Sequence, residues 1–443
     1  MPSTAFMING FDDSNFSGVE RATQDLIKQR QRLLGPCYKL FYENPVHFDR
    51  AEGVYLYDKK GNRYLDVYNN VPVVGHCHPR VVEAIARQAS TLNTHTRYLT
   101  DGVLAYAESL LATYPKELGH VMFTCTGSEA NDLAMRIARF HTKGSGFVVT
   151  RFAYHGITQA TAEISPTLGA NEPIGRDIRT VVAPDAYRQG GGNVEDLFAA
   201  SVERAIEDMR RHGIKFAGLI VDTCFSSDGL QLTPKGFLQK AVDVVHDAGG
   251  LFIADEVQPG FARLGDSMWG FQRHGVVPDL VTMGKPMGNG LPIAGVVTQP
   301  HLVEAFGNAV RYFNTFGGNS VCIAAAQTVL DVIKDENILE NSREVGAYLI
   351  DSLRGATESV EIVGDVRGAG LFVGVEFVTD RASKKANGVP ALRLVNALRE
   401  RRVLISASGP GSNVLKIRPP LPFKKEHVDE FMAVFREVLP TVL

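Results

Sequence analysis

Cysteine is scarce and unpaired in this chain: Cys37, Cys77, Cys125, Cys224 and Cys322 fall at wide, irregular intervals. An odd, dispersed set offers no disulfide framework and no zinc-ligand spacing, and it fits a reducing compartment. An excess of either charge is also missing. Lys and Arg total 46 against 49 Asp and Glu, a formal net charge of −3, which removes any global electrostatic case for nucleic acid or an anionic membrane. The longest basic cluster, around Arg399, Arg401 and Arg402, reads as the solvated face of a helix. No stretch approaches the roughly 20 apolar residues of a membrane helix. The opening MPSTAFMINGFDDSNFSG has no basic start followed by an apolar run, so no signal peptide is expected. Together these absences predict a soluble, cytoplasmic protein with neither nucleic acid nor membrane as partner.

A chain of 443 residues exceeds one simple core, so two domains or one large interdigitated unit are expected. Residues 19–34 carry an amphipathic helical pattern that Gly35-Pro36 ends. VYLYDKKGNRYLDV reads as a hairpin around Lys60-Gly61-Asn62. From about residue 76, short apolar strands alternate with helices: HVMFTC before SEANDLAMRIARF, then GFVVT, FAGLIVD after a polar helix at 194–212, LFIAD, DLVTM and IAGVVT. Such alternation predicts an α/β fold with a mostly parallel sheet covered by helices. After FNTFGGN the pattern changes to a long helix, then EIVGDVRG, LFVGVEFV, VLISAS and VLKIRPP, and a last helix at 425–439. These suit a smaller α+β domain that the amino-terminal hairpin joins. The expected division is an arm and part of the small domain over 1–75, a large domain over 76–315 and a small carboxy-terminal domain over 316–443.

Three features fall at the carboxyl ends of predicted strands, where open α/β sheets bind ligands. Thr126-Gly127-Ser128-Glu129 joins VMFTC to a helix. Glycine permits close backbone approach, serine offers a hydroxyl and the helix start offers free N–H groups, so the segment suits a phosphate; an ordinary serine N-cap is the other reading. Asp255 ends LFIAD, where a carboxylate can hold a pyridinium nitrogen protonated, though strand-end Asp residues also cap turns. Lys285 follows DLVTM among small residues. Partial desolvation there favours its neutral, nucleophilic amine, whereas a surface lysine in a glycine-rich turn is the commoner case. The order of the three, cradle, Asp and Lys, is what joins them into one site.

The segments YLDVYNNVPVVGHCHPRV, FTCTGSEANDLAMRIAR, AYHG, FIADEVQPGFARLG, VTMGKPMGNG, FNTFGGN and GDVRGAGLFVGVEF, in this order, resemble the class-III (ω) aminotransferases. These are fold-type I enzymes dependent on pyridoxal 5′-phosphate (PLP). The resemblance covers nearly the whole chain and implies a role for each matching position. Lys285 would be the Schiff-base lysine, and Gly127 and Ser128 would bind the cofactor phosphate. Tyr154 would stack on the pyridine ring, Asp255 would pair with its nitrogen and Gln258 would approach its phenolic oxygen. Thr315 would reach the phosphate in a neighbouring subunit, so a homodimer, or a dimer of dimers, is expected. Many relatives carry Glu after the strand GLIV where this chain has Asp222-Thr223. His76 and His78 lack a third ligand and read as turn-closing residues, so no metal is expected.

Proton loss from the substrate's α-carbon to Lys285 serves either of two outcomes, amino-group transfer or loss of a group from the β-carbon. Tyr38-Lys39, Asn69-Asn70, LNTHTRYL, MGKPMGNG and SASGPGSNVLKIRPP look closer to the ethanolamine-phosphate and phosphohydroxylysine phospho-lyases than to alanine–glyoxylate aminotransferases. Lys39 and Arg97 would be cations for a substrate phosphate, and Asn69 or Asn70 neutral donors. Alternatively, Lys39 is a surface residue and Arg97 pairs with Asp101. Arg418 points the other way, since it matches the arginine that grips an amino acid's α-carboxylate in the aminotransferases. The substrate expected is a small, phosphorylated amine.

Overall fold

The computed structural model describes residues 7–190 and 192–442. Three sheets organise it. The hairpin runs through β1 (Phe48–Glu52), β2 (Tyr55–Asp58) and β3 (Arg63–Asp66). The main sheet is built from β4 (His120–Thr124), β5 (Gly146–Thr150), β6 (Ile178–Val181), β7 (Phe216–Asp222), β8 (Leu251–Asp255), β9 (Leu280–Met283) and β10 (Ala294–Thr298). The last third supplies β11 (Val363–Ala369), β12 (Phe372–Phe377), β13 (Val403–Leu404), β14 (Ser406–Ser408) and β15 (Val414–Ile417).

The main sheet has the order β4-β10-β9-β8-β7-β5-β6. Its pairings from β9 through β6 are parallel, while β10 runs antiparallel to both β4 and β9. The reversal has a geometric cause. The segment between Met283 and Ala294 contains no helix, and without a crossover a strand can return only antiparallel to its predecessor. That return wraps the connection around Lys285. Strands β5 and β8 are buried along their whole length, as expected of central strands covered on both faces.

Helix α1 (Arg21–Leu34) ends where predicted, at Gly35, whose φ of 68° suits a residue without Cβ and whose N–H bonds the Gln31 carbonyl at 3.0 Å. Helices α2 (Pro79–Thr91) and α3 (Asp101–Leu111) precede the main sheet. Helix α4 (Gly127–Thr142) lays Ala130, Leu133, Ala134, Ile137 and Ala138 against Phe147, Val149, Ala217, Ile220 and Ile253. These positions recur at three and four, the spacing of one helix face. Its buried stripe fixes where the first turn of α4 points, which is the carboxyl edge of the sheet.

The two chain ends do meet, in a way the sequence pattern leaves open. The hairpin does not extend the sheet β11-β12-β15-β14; it forms its own sheet, β1-β2-β3-β13, with the two-residue β13 parallel to β3. Among the described residues no helix is long and apolar enough to cross a membrane.

Candidate active site

Strands β7, β8 and β9 end side by side, with Asp222 opposite Asp255 and Asp255 opposite Thr282 in register. Beyond them opens a cavity of about 350 Å³, lined among others by Ser128, Tyr154, Asp255, Gln258 and Lys285. Five of the residues proposed from sequence are thereby brought to one place, and Gly127 lines it as well.

The cradle is the start of α4. Thr126, not Ser128, is the N-cap: its hydroxyl accepts from the Glu129 N–H at 3.2 Å. This leaves the Ser128 hydroxyl available, and it accepts from the Ile157 N–H at 3.1 Å. The fit of the walls depends on two glycines. A Cβ on Gly127 would approach Val257 Cγ2 to 3.0 Å, and one on Gly156, where φ is +140°, would lie 2.4 Å from Ser128 Oγ. Helix-start N–H groups and a hydroxyl, with no side chain intruding, make an anion seat.

Asp255 is 4% exposed, and its oxygens are held by neighbouring groups. Oδ2 accepts from Asn131 Nδ2 at 2.9 Å and lies 2.7 Å from His155 Nδ1; Oδ1 accepts from the Val257 N–H at 3.1 Å. Asn131 is in turn fixed through Thr282 Oγ1 at 2.6 Å and by its bond to the His155 carbonyl at 2.8 Å. Sequence reasoning missed Asn131 and His155. Asn131 sits on the apolar face of α4, where an isolated amide must find partners, and His155 directly follows Tyr154. Those two signals were available in the sequence.

Lys285 occupies a left-handed backbone position, φ +38°, unusual for a residue with a Cβ. Burial lowers its pKa from the ordinary 10.5 to about 8, with the Arg418 cation acting in the same direction against the opposing pull of Asp255 and Asp222. A substantial neutral fraction near physiological pH is what a nucleophilic amine requires. Cys125, the thiol in the same cavity, is shifted oppositely: burial and the Glu129 carboxylate push it up to about 11. Burial also raises Tyr154, which remains a neutral ring half open to the cavity.

Asn70 is buried and donates from Nδ2 to Gln258 Oε1 at 3.2 Å. Asn69 turns away, its Nδ2 on Asp66 Oδ2 at 3.0 Å. Arg418 is buried behind the cavity; its Nε donates to the Tyr68 carbonyl at 3.2 Å and its Nη1 to Gln258 Oε1. Asp222 also lines the cavity and accepts the N–H groups of Cys224 and Ser226 in its own turn, each at 3.0 Å. Lys39, Arg97 and Thr315 are exposed and stand apart from these walls within one chain. Arg97 stacks over the Phe313 ring, 3.6 Å from its centroid, in place of the considered pairing with Asp101. His76 bonds Asp66 at 2.7 Å and His78 bonds Glu336 at 3.1 Å. Among the described residues no three potential ligands gather for a metal.

The donor set suits PLP: an anion seat at α4, a fixed carboxylate at the strand end, a half-open aromatic ring and an amine with a lowered pKa. Asp255 lines the cavity while Asn131, His155 and the Val257 N–H hold its oxygens in place, as a partner for a ring nitrogen requires.

Residues 41–439 match the family model described as aminotransferase class-III. A Drosophila melanogaster protein named alanine–glyoxylate aminotransferase 2-like is 40% identical over 95% of this chain and 87% of its own length. A Caenorhabditis elegans protein named ethanolamine-phosphate phospho-lyase homolog 1 is 38% identical over 95% of this chain and 94% of its own. Among solved structures, an Arthrobacter phospholyase in complex with phosphoethanolamine superposes with a TM-score of 0.91 at 42% identity, covering 94% of this chain and 100% of the other. Sequence, sheet order and cavity thus lead to one conclusion: the chain belongs to the class-III aminotransferases, PLP-dependent enzymes of fold type I.

Proposed function

We propose that this enzyme is a phospho-lyase that converts O-phosphoethanolamine and water to acetaldehyde, ammonia and phosphate. The observation that carries the reading is the commitment of Arg418. With Nε on the Tyr68 carbonyl and Nη1 on Gln258, Arg418 offers an α-carboxylate fewer free N–H groups than an unengaged guanidinium would. Phosphoethanolamine has no carboxylate and makes no demand on it. The similarity to a phospholyase seen with phosphoethanolamine supports the same choice.

When bound, PLP supplies the electron sink that lets a substrate lose its Cα proton. In this chain Lys285 is the base for that proton, and its pKa near 8 places it close to working pH. Asp255, held by Asn131 and His155, would pair with the cofactor's ring nitrogen. Gly127, Ser128 and the start of α4 would hold its phosphate, Tyr154 would stack on the ring and Gln258 would approach its phenolic oxygen. The bond that breaks is the one from the β-carbon to the phosphate oxygen, whose electron pair leaves with phosphate. Lys39 and Arg97 are assigned to that leaving phosphate, and the charge they neutralise makes it a better leaving group; the Asn69 and Asn70 amides, expected there from sequence, are instead engaged by Asp66 and Gln258.

This reading requires a homodimer. Arg97 and Thr315 lie beside exposed apolar side chains: Tyr98 is 66%, Leu99 96% and Phe316 67% exposed. Exposed apolar side chains of this kind suit a subunit contact. Burying it against a second copy would carry Thr315 toward the neighbour's cradle.

Amino-group transfer to an oxo acid is the second reading, favoured by the presence of Arg418 itself. Phosphate release from phosphoethanolamine, assayed beside pyruvate-dependent transamination, separates the two. Arg97→Ala is expected to lower phosphate release relative to KM by about 10- to 100-fold, the worth of a charge-assisted contact, and to leave cofactor absorbance intact. No phosphate release by the wild-type holoenzyme would end the lyase reading.

A further inference from the structure

Gln258 and Arg418 fix each other's chemistry. Arg418 carries only N–H donors, so any amide facing it must present its oxygen. Gln258 Oε1 receives both Arg418 Nη1 and Asn70 Nδ2. Turning the amide over would set its NH₂ group against the N–H groups of Arg418, which has no acceptor to offer. With its oxygen so occupied, the amide has its Nε2–H₂ donor left for the cavity that Gln258 lines. Arg418 is in turn held by the Tyr68 carbonyl and set beside the Tyr68 and Phe372 rings, at 5.0 and 5.7 Å from their centroids.

We propose that Arg418 is a positioning residue: through the Gln258 oxygen it locks that amide with its donor, not its acceptor, toward the cofactor's ring oxygen. Its purpose in this chain is then independent of any carboxylate on the substrate. The inference rests on Gln258 meeting the ring oxygen and holds whether the enzyme eliminates or transaminates.

The test is the pH at which the holoenzyme's visible absorbance titrates. A donor on the ring oxygen stabilises the more negative, deprotonated form, so Gln258→Leu should raise the midpoint by about one pH unit. Arg418→Leu should raise it also, but removal of a nearby cation would do so by charge alone. The double variant separates these causes. If Arg418 acts through Gln258, Arg418→Leu shifts the midpoint at least threefold less in the Gln258→Leu background than in wild type. Arg418→Gln, which lacks the charge but keeps an N–H donor, should recover at least half of the shift, and it serves in the same cycle if the leucine variant is insoluble. Equal shifts in both backgrounds would overturn the proposal. A Gln258→Leu variant with an unchanged midpoint would overturn it too, without touching the phosphate-release result.

Discussion

Asp255 and Arg97 stand at opposite extremes of commitment. Asp255 is 4% exposed and its oxygens are already held by neighbouring groups. Arg97 is exposed, with its guanidinium over a single ring. The same contrast separates their surroundings. Around Asp255, side chains from α4, β8, β9 and the turn after β5 lock one another within one chain. Around Arg97, Tyr98, Leu99 and Phe316 present apolar surface without cover. Rigid elements supply geometry before any ligand arrives, whereas an exposed segment takes its final geometry from what covers it. Most of the proposed cofactor seat is therefore preformed within a single chain, whereas Thr315 and the proposed substrate cations depend on assembly.

The sharpest way to break this comparison is at its most buried member. Lys285→Ala removes both the amine that captures the cofactor and the base for the Cα proton, so turnover should fall by about 10³-fold or more. Steady-state rates of phosphate release and of transamination should fall together. A variant that lost one and kept the other would show that Lys285 is not common to both.

The second effect is a pH dependence. Capture of added PLP by the cofactor-free protein needs the neutral Lys285 amine, whose pKa is lowered to about 8 from 10.5. Below pH 8 the capture rate should rise about tenfold per unit, and above it the rate should level off. An ordinary lysine would go on accelerating toward pH 10.5, so near pH 8 the difference is about 100-fold. Stopped-flow absorbance across pH 6 to 10, at about these limits, reads the midpoint. A midpoint above about 10 would mean that burial does not tune this amine. Against it, Arg97→Ala should leave capture unchanged and act on phosphate release alone.

How much of this could be read from residues follows the same division. Strands β7, β8 and β9 were legible because buried parallel strands are short apolar runs, and their ends placed Asp255 and Lys285. The direction of β10 was not, because direction depends on the connection and not on the strand's own pattern. β13 is two residues long, too short to show any period. Asn131 was legible as an amide on the apolar face of α4, but its bond to Asp255 across the sheet was not. Lys39, Arg97 and Thr315 could be named by resemblance to a family, but their exposure in one chain is a three-dimensional property that no local pattern encodes. Asn69 and Asn70 show the limit most plainly: adjacent and alike in sequence, one bonds Asp66 and the other Gln258.

One residue joins the two halves, and its removal should have the smallest effect. Asn314 Nδ2 donates to Glu129 Oε2 at 3.1 Å, while its Oδ1 accepts the Gly317 N–H at 2.9 Å. Glu129 Oε2 also accepts the Cys125 N–H at 2.8 Å, just before the cradle. The exposed turn that bears Thr315 is thus tied by one amide to the first turn of α4. Asn314→Ala removes that tie without entering the cavity, since Asn314 is not among its walls. A hydrogen bond to a carboxylate contributes about 1.5 kcal/mol net or somewhat more, so the affinity for PLP should weaken about tenfold, read from fluorescence or absorbance titration of the cofactor-free protein. If Thr315 serves a neighbour's cradle, the loss should be largest at protein concentrations that favour the dimer and should shrink as subunits separate on dilution. A loss independent of concentration would place the whole effect on Glu129 and the chain's own cradle, and would sever the link between the two halves.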